Sequence, residues 1–170
     1  MYDWLAEALE GESCPVVTAN LRLARTLRQA FGEQQVANAS LVWKTPQIHV
    51  WGHWLHSLFD AADNAAGIVA DNSARLPARL GTQQCRVLWE RCIQQEVNES
   101  VVSVSSLGRV ARDGWVRMNE WNLPPDACAN AAHGQDQRIF ARTMQRYRKE
   151  LHSNDWVDDA SLPALLCQLL

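Results

Sequence analysis

Residues 14–31 read CPVVTANLRLARTLRQAF, and this stretch decides the fold. Its first part is a short run rich in β-branched residues that is closed by Asn20. Its second part carries apolar residues at helical spacing as far as Phe31, and Gly32 follows. The pattern predicts a strand, then a helix that ends at Gly32.

A second short apolar run occupies residues 41–45 and ends at Pro46. Proline disfavours a helical conformation for the residue before it and fits the first turn of a helix that follows. We therefore expect a strand over 41–45 and then a helix. Two strands separated by a helix are typical of a β-α-β unit with parallel strands. The second helix is expected to place one apolar face inward, formed by Ile48, Trp51, Leu55, Leu58, Phe59 and Ala62.

The rest of the chain favours helices. Residues 63–81 are expected to form a loop, because they contain Asp, Asn, Gly, Ser and Pro. The prolines that follow Leu123 should end a helix, and 161–170 predicts a last short helix. The expected fold class is α/β and helix-rich, with a small parallel sheet and a large helical part. Three helices are expected to place an apolar face in the core. The first face consists of Cys85, Leu88, Trp89, Cys92, Ile93 and Val97, the second of Val104, Leu107, Ala111, Trp115 and Met118, and the third of Phe140, Met144, Tyr147 and Leu151.

Composition limits the class of protein. The chain has 170 residues, 47% of them hydrophobic, and a formal net charge of -3, which fits one globular domain without a global basic field. Its five cysteines contain no C-x-x-C pair, so neither a disulfide framework nor a zinc ribbon is expected. The acidic opening at 1–12 lacks the features of a signal peptide, and no apolar run is long enough to span a membrane. We expect a cytoplasmic protein without a membrane partner.

Known catalytic motifs are absent from the sequence. The strand that ends at Thr18 continues into Asn20 without the Gly and Lys that a P-loop needs, and no nucleophile elbow or dinucleotide fingerprint occurs. We therefore expect neither catalytic residues nor a cofactor in this segment. Asp155, Asp158 and Asp159 form an acidic cluster, which suits either a solvated helix entry or a divalent cation.

Three histidines, His49, His53 and His56, are spaced i, i+4 and i+7. On one helix this spacing would form a metal-binding face, and a metal-dependent enzyme is one hypothesis. Val50, however, stands where a zincin has its catalytic Glu, and no nearby cysteine completes a structural site. A polar helix face is the other interpretation.

Arginines form two stripes at helical spacing. Arg22, Arg25 and Arg28 lie three residues apart, with no acidic residue between positions 13 and 32. The second stripe is turned away from the apolar face of its helix and consists of Arg138, Arg142, Arg146 and Lys149. Each stripe suits either solvent or phosphate groups.

Tryptophans could stack on nucleic-acid bases. Trp51, Trp89 and Trp115 lie on apolar faces and are expected in the core. Trp43, at the end of the second predicted strand and beside Lys44 and Thr45, is the better candidate for stacking.

The residues 15–28 resemble the V-T-x-N-x-x-A-x-x-L pattern of a core strand and helix in UvrD-like superfamily-one helicases. Thr45-Pro46 with 51–58 is similar to the next strand and helix, and 156–162 is similar to the stretch that closes the inserted helical region. The chain as a whole resembles RecC/AddB-type helicase-like subunits, in particular bacterial DNA repair proteins that join such a region to a C-terminal PD-(D/E)XK nuclease. In those helicases the strand and P-loop that bind ATP precede this pattern; we expect this segment to lack them and not to hydrolyse ATP.

This resemblance implies one helicase-like domain over 1–170, with a β-α-β-α core part at 14–62, a helical insertion at 82–152 and a return segment at 153–170. It implies a piece of a longer repair protein, acting as a non-hydrolytic DNA-binding scaffold beside a nuclease or helicase subunit. The competing hypothesis is an interaction module that docks on other domains or subunits without touching DNA. The expected DNA-binding residues are Asn20, Arg22, Arg25, Trp43, Thr45, Arg138, Arg142 and Arg146.

Overall fold

The computed structural model describes residues 14–68, 75–97, 103–124 and 134–169. The acidic opening at 1–12 and Cys128 lie outside these ranges. The chain divides into two compact units, Met1–Ala65 and Ala66–Leu170, which we call unit 1 and unit 2 and describe separately. Within the described ranges the protein is helix-rich, and it has small parallel sheets. None of the helices in those ranges combines the length and apolar character needed to cross a membrane.

Unit 1 contains the predicted β-α-β arrangement. Strand β1 (Val16–Thr18), helix α1 (Leu21–Ala37), strand β2 (Ile48–Val50) and helix α2 (Trp51–Ile68) follow in order. The two strands are parallel, with Val16 opposite Ile48 and Thr18 opposite Val50. The parallel pairing confirms the sequence prediction.

The predicted position of the second strand is wrong. Residues 41–45 form no strand, and Leu41 and Val42 are 96% and 90% exposed. The strand is Ile48–Val50, and Ile48 is buried with Ala24 and Phe31 of α1. A helix of 17 residues is about 25 Å long, whereas a strand of three is about 10 Å. Helix α1 thus extends well beyond the end of β1. The chain after α1 must run back along this extra length of helix before β2 can pair with β1.

The ends of the two helices also differ from the prediction. Helix α1 does not end at Gly32 but continues to Ala37, where Asn38 and a left-handed Ala39 (φ 58°) terminate it. Gly32 has no positive φ, so nothing in its backbone requires the helix to stop there. Helix α2 starts only at Trp51 and continues to Ile68, so 63–68 are helix and not loop.

Unit 2 packs three helices around one core. These are α3 (Thr82–Gln94), α4 (Val104–Glu120) and α5 (Gln135–Ser153). Strand β3 (Ala78–Arg79) pairs in parallel with β4 (Trp156–Val157), and helix α6 (Leu162–Leu169) follows. The two short strands escaped sequence analysis. The predicted inward faces are confirmed, since the residues buried in this core include Cys85, Leu88, Trp89, Cys92, Ile93, Ala111, Trp115, Met118, Met144, Tyr147 and Leu151.

Asp158 joins the elements of unit 2. Its Oδ2 accepts hydrogen bonds from Trp115 Nε1 (2.7 Å) and from the Tyr147 hydroxyl (3.0 Å), and its Oδ1 accepts one from the backbone N–H of Ser161 (2.9 Å). The residue is buried, so it is neither a solvated helix-entry acid nor part of an exposed cluster. Burial, followed by the charge of Asp158, raises the pKa of Tyr147 well above its usual range, so that this hydroxyl stays a proton donor.

Replacing Asp158 by Ala should lower the free energy of unfolding by about 3 kcal/mol, because two buried donors lose their acceptor. Urea denaturation followed by circular dichroism measures the loss. Asp159→Ala is the matched control, since the Asp159 side chain is 52% exposed and 3.9 Å from Arg79. It should cost less than about 1 kcal/mol. Equal losses in the two variants would contradict a special role for Asp158.

Candidate nucleic-acid interface

The carboxyl ends of β1 and β2 meet at one edge of their sheet, because the strands are parallel and Thr18 pairs with Val50. Helix α1 begins three residues after the end of β1, and helix α2 begins directly after β2. The Thr18 hydroxyl shares its single hydrogen between the backbone oxygens of His49 (3.0 Å) and Asn20 (3.2 Å) and so fixes the turn between strand and helix. Two helix starts therefore lie at one sheet edge, the place where ligands bind in open α/β sheets.

Asn20 is the N-cap of α1. Its backbone is extended (φ -154°, ψ 163°), and its Oδ1 accepts the backbone N–H of Leu23 at 2.9 Å. This hydrogen bond satisfies one of the N–H groups that a helix start leaves without an internal partner. The Asn20 Nδ2 group has no partner within the described residues, so it can still donate to a ligand.

Arg22 and Arg25 project from the first turns of α1 and are exposed. Within the described residues neither guanidinium forms an ion pair. The first turns of α1 and α2 contain no acidic residue, so no side chain of these turns offsets the partial positive charge at the helix starts. Arg28 has a different role: its guanidinium donates to the backbone oxygen of Ile48 and ties α1 to β2.

Trp51 stands at the start of α2, on the same edge. It is 47% exposed, so the prediction that it belongs to the core is wrong. Its ring lies 5.7 Å from that of Trp54, at an angle of 43°. The apolar residues of 48–62 occur at helical spacing, which placed Trp51 on the buried face of a helix. This spacing does not show that the helix begins only at residue 51. Trp51 is thus an aromatic surface that sequence analysis missed.

Trp43 and Thr45 are not at the carboxyl edge. Both precede Ile48, where β2 begins, so they lie on the connection that leads to the amino end of that strand. Trp43 is 39% exposed and packs near Gly32, where a Cβ atom would be 3.9 Å from its Cζ2. Their expected place at a strand end is wrong because that strand is not there. The edge therefore combines Asn20, Arg22 and Arg25 without them.

The second arginine stripe is largely engaged inside unit 2. Glu96 accepts hydrogen bonds from Arg142 Nε (2.9 Å) and from Arg146 Nε and Nη2 (3.0 and 2.8 Å). These hydrogen bonds, Arg146 first, hold the pKa of the Glu96 carboxyl below its usual range. The ion pairs thus form fully above the ordinary carboxyl pKa and are lost as the pH falls through the lowered value. Arg138 is exposed in the first turn of the same helix.

The histidines do not share one helix face. His49 belongs to β2, whereas His53 and His56 belong to α2, so the predicted i, i+4, i+7 face does not form. In the parts of the chain that the structure describes, no group of three His, Cys, Asp or Glu side chains could hold a metal ion. This excludes the acidic cluster in the same ranges as well, and its Asp158 is turned into the core.

No protein-family model matches the chain, and no curated protein matches it either.

Replacing Asn20 by Ala should lower the free energy of unfolding by about 1 kcal/mol, because the start of α1 loses its side-chain cap. Asn20→Asp is the matched control: it keeps the acceptor and adds a negative charge that the helix start favours. Chemical denaturation compares the two variants with the unchanged protein. An Asn20→Asp variant as unstable as Asn20→Ala would contradict the capping role.

Proposed function

We propose that unit 1 binds DNA at the carboxyl edge of β1 and β2. One observation carries the proposal: two exposed arginines that form no ion pair within the described residues, Arg22 and Arg25, stand beside two helix starts whose first turns contain no acidic residue. The described part of unit 1, residues 14–65, holds four Arg and Lys and three Asp and Glu, and none of these acids lies in the first turn of α1 or α2, although the whole chain is net negative. A local field of this kind favours a polyanion even on an acidic protein.

The contacts available at this edge are those that proteins make with phosphates. Guanidinium groups give charge-assisted, bidentate hydrogen bonds, and backbone N–H groups at helix starts add further donors. The exposed ring of Trp51 can stack on a base. The binding energy would come mainly from neutralised phosphates, so affinity should fall steeply with salt.

Within this proposal the protein is a DNA repair or recombination segment that serves as a non-hydrolytic, helicase-like scaffold. The parallel β-α-β arrangement supports it, together with the resemblance of 15–59 to superfamily-one helicases and to RecC/AddB-type subunits. Catalysis would then belong to another part of a longer chain, or to a nuclease or helicase subunit that the scaffold positions on DNA.

Removing Arg22 and Arg25 together should weaken binding to a fluorescein-labelled single-stranded oligonucleotide. It should also reduce the slope of log affinity against log salt by about 1.4, since each lost phosphate contact on a single strand contributes about 0.7. Fluorescence anisotropy at several salt concentrations measures both quantities, and a labelled duplex tests the preferred form of DNA.

The control for this variant is Arg109→Ala/Arg117→Ala, which removes the same charge from exposed positions on α4. If both double variants lose the same affinity, the interface is not at Arg22 and Arg25. Absence of binding by the unchanged protein at low salt would overturn the proposal and favour an interaction module without DNA contact.

The second stripe has its own test, Glu96→Gln. This variant removes the carboxylate that engages Arg142 and Arg146. If both freed arginines contact phosphates, affinity at low salt should rise several-fold and the salt slope should steepen by about 1.4, or about 0.7 for each contact. The same anisotropy titration measures it. Glu90→Gln is the control, because Glu90 pairs with Arg86 on α3 instead. An equal gain in both variants would indicate only the change in net charge.

A further inference from the structure

Unit 2 has an apolar groove that the proposed DNA contact does not use. It encloses about 380 Å³ beside α3, next to the paired strands β3 and β4. Its described lining includes the buried Leu80 and Leu88, the half-buried Trp156 and the exposed Val87. Ligand pockets have volumes of about 300–1000 Å³, and this groove is near the lower end of that range. Its size therefore suits one or two apolar side chains better than a large cofactor.

Val87 is the unusual residue of the groove. It is 63% exposed on α3, whose other exposed side chains include Gln83, Arg86 and Arg91. A single exposed apolar residue needs no explanation, but this one lies beside the buried lining residues of a concave apolar surface. The surface therefore offers burial to an apolar side chain that fits between Val87 and Trp156.

The charge of the groove rim specifies the partner. Arg91 lines the groove and has no ion-pair partner among the described residues. Two other arginines nearby in the chain do have carboxylates: Arg86 pairs with Glu90 at 3.0 Å, and Arg79 lies 3.9 Å from Asp159. None of the described residues that line the groove is acidic. The rim therefore presents one unneutralised cation and favours a carboxylate.

The spacing along α3 fixes where that carboxylate should lie. Val87 and Arg91 are one helical turn apart, about 6 Å along the axis. Gln83 lies one turn on the other side of Val87, so the groove runs for about 12 Å along the helix. A helical peptide places residues i and i+4 at the same separation, which allows an apolar side chain and an acidic one to engage together.

We propose that this groove docks an acidic amphipathic helix of a partner protein, with an apolar side chain between Val87 and Trp156 and a carboxylate on Arg91. The mode is that of a helix in a groove, where apolar anchors give affinity and the rim charge selects the partner. The surface lies in unit 2 and is independent of the DNA interface proposed for unit 1.

The test uses the whole 170-residue chain and fluorescein-labelled helical peptides of about 15 residues, with leucines on one face. One peptide has glutamate four residues from a leucine on the same face, so that it can reach Arg91 while that leucine enters the groove; a second has glutamine at this position, and a third has lysine. Fluorescence anisotropy should show binding of the glutamate peptide, weaker binding of the glutamine peptide and no binding of the lysine peptide.

Val87→Glu should lower the affinity for the glutamate peptide at least tenfold, because the substitution places a negative charge in the apolar groove. Val110→Glu is its control, since Val110 is also 63% exposed but lies on α4, and it should change nothing. Arg91→Gln should remove the preference for glutamate over glutamine. Arg117→Gln is the control for charge, because Arg117 also stands in the last turn of its helix.

Three results would overturn the proposal: no peptide binds, Val87→Glu binds as tightly as the unchanged protein, or the lysine peptide binds best. Sedimentation of the unchanged protein and of Val87→Glu tests a further occupant. A dimer that Val87→Glu dissociates would assign the groove to a second copy of this chain and overturn the proposed partner. DNA binding should be equal in both proteins, so the outcomes for the two surfaces remain separate.

Discussion

The buried carboxylate of Asp158 is the constraint on which unit 2 depends. A carboxylate without water needs hydrogen-bond donors, and three separate parts of the unit supply them: Trp115 of α4, Tyr147 of α5 and the backbone N–H of Ser161 before α6. Apolar packing alone has no strong preference of direction, whereas these bonds require one mutual placement of the elements. Because β4 immediately precedes Asp158, the same bonds also position Trp156, which lines the apolar groove.

Unit 1 is arranged on a different principle, since its polar groups hold turns and helix starts at an exposed edge. The Thr18 hydroxyl and the Asn20 side chain fix the beginning of α1, and Arg28 anchors that helix to β2. Within the part of the chain that the structure describes, Arg22 and Arg25 form no ion pair that would give them such a structural role. In unit 2 the comparable pair, Arg142 and Arg146, is engaged by Glu96, so arginine spacing that looks alike in the sequence serves two different purposes.

Sequence reasoning succeeded where the information is local. The inward faces of α3, α4 and α5 follow from apolar residues at helical spacing, and parallel strands follow from the length of the connection between them. Sequence reasoning failed where contacts between residues far apart in the chain determine the structure. Residues 41–45 are as apolar as a strand, but Ile48 is the residue that packs on Phe31. The partners of Asp158 and Glu96 lie up to 43 and 50 positions away, and no local pattern points to them. The prediction of a metal-binding histidine face was wrong for a related reason: His49 belongs to β2, whereas the other two histidines belong to α2.

The two proposed surfaces differ in the force that would drive binding, and this difference has a physical consequence. The proposed phosphate contacts at Arg22 and Arg25 would weaken steeply as salt rises, because releasing condensed counterions gains less entropy at a higher salt concentration. Burial of an apolar side chain between Val87 and Trp156 responds little to salt, and only the Arg91 contact is screened. A protein with both surfaces can therefore keep a protein partner under conditions that release DNA. That order of events suits a scaffold whose association with its partner must outlast each encounter with nucleic acid.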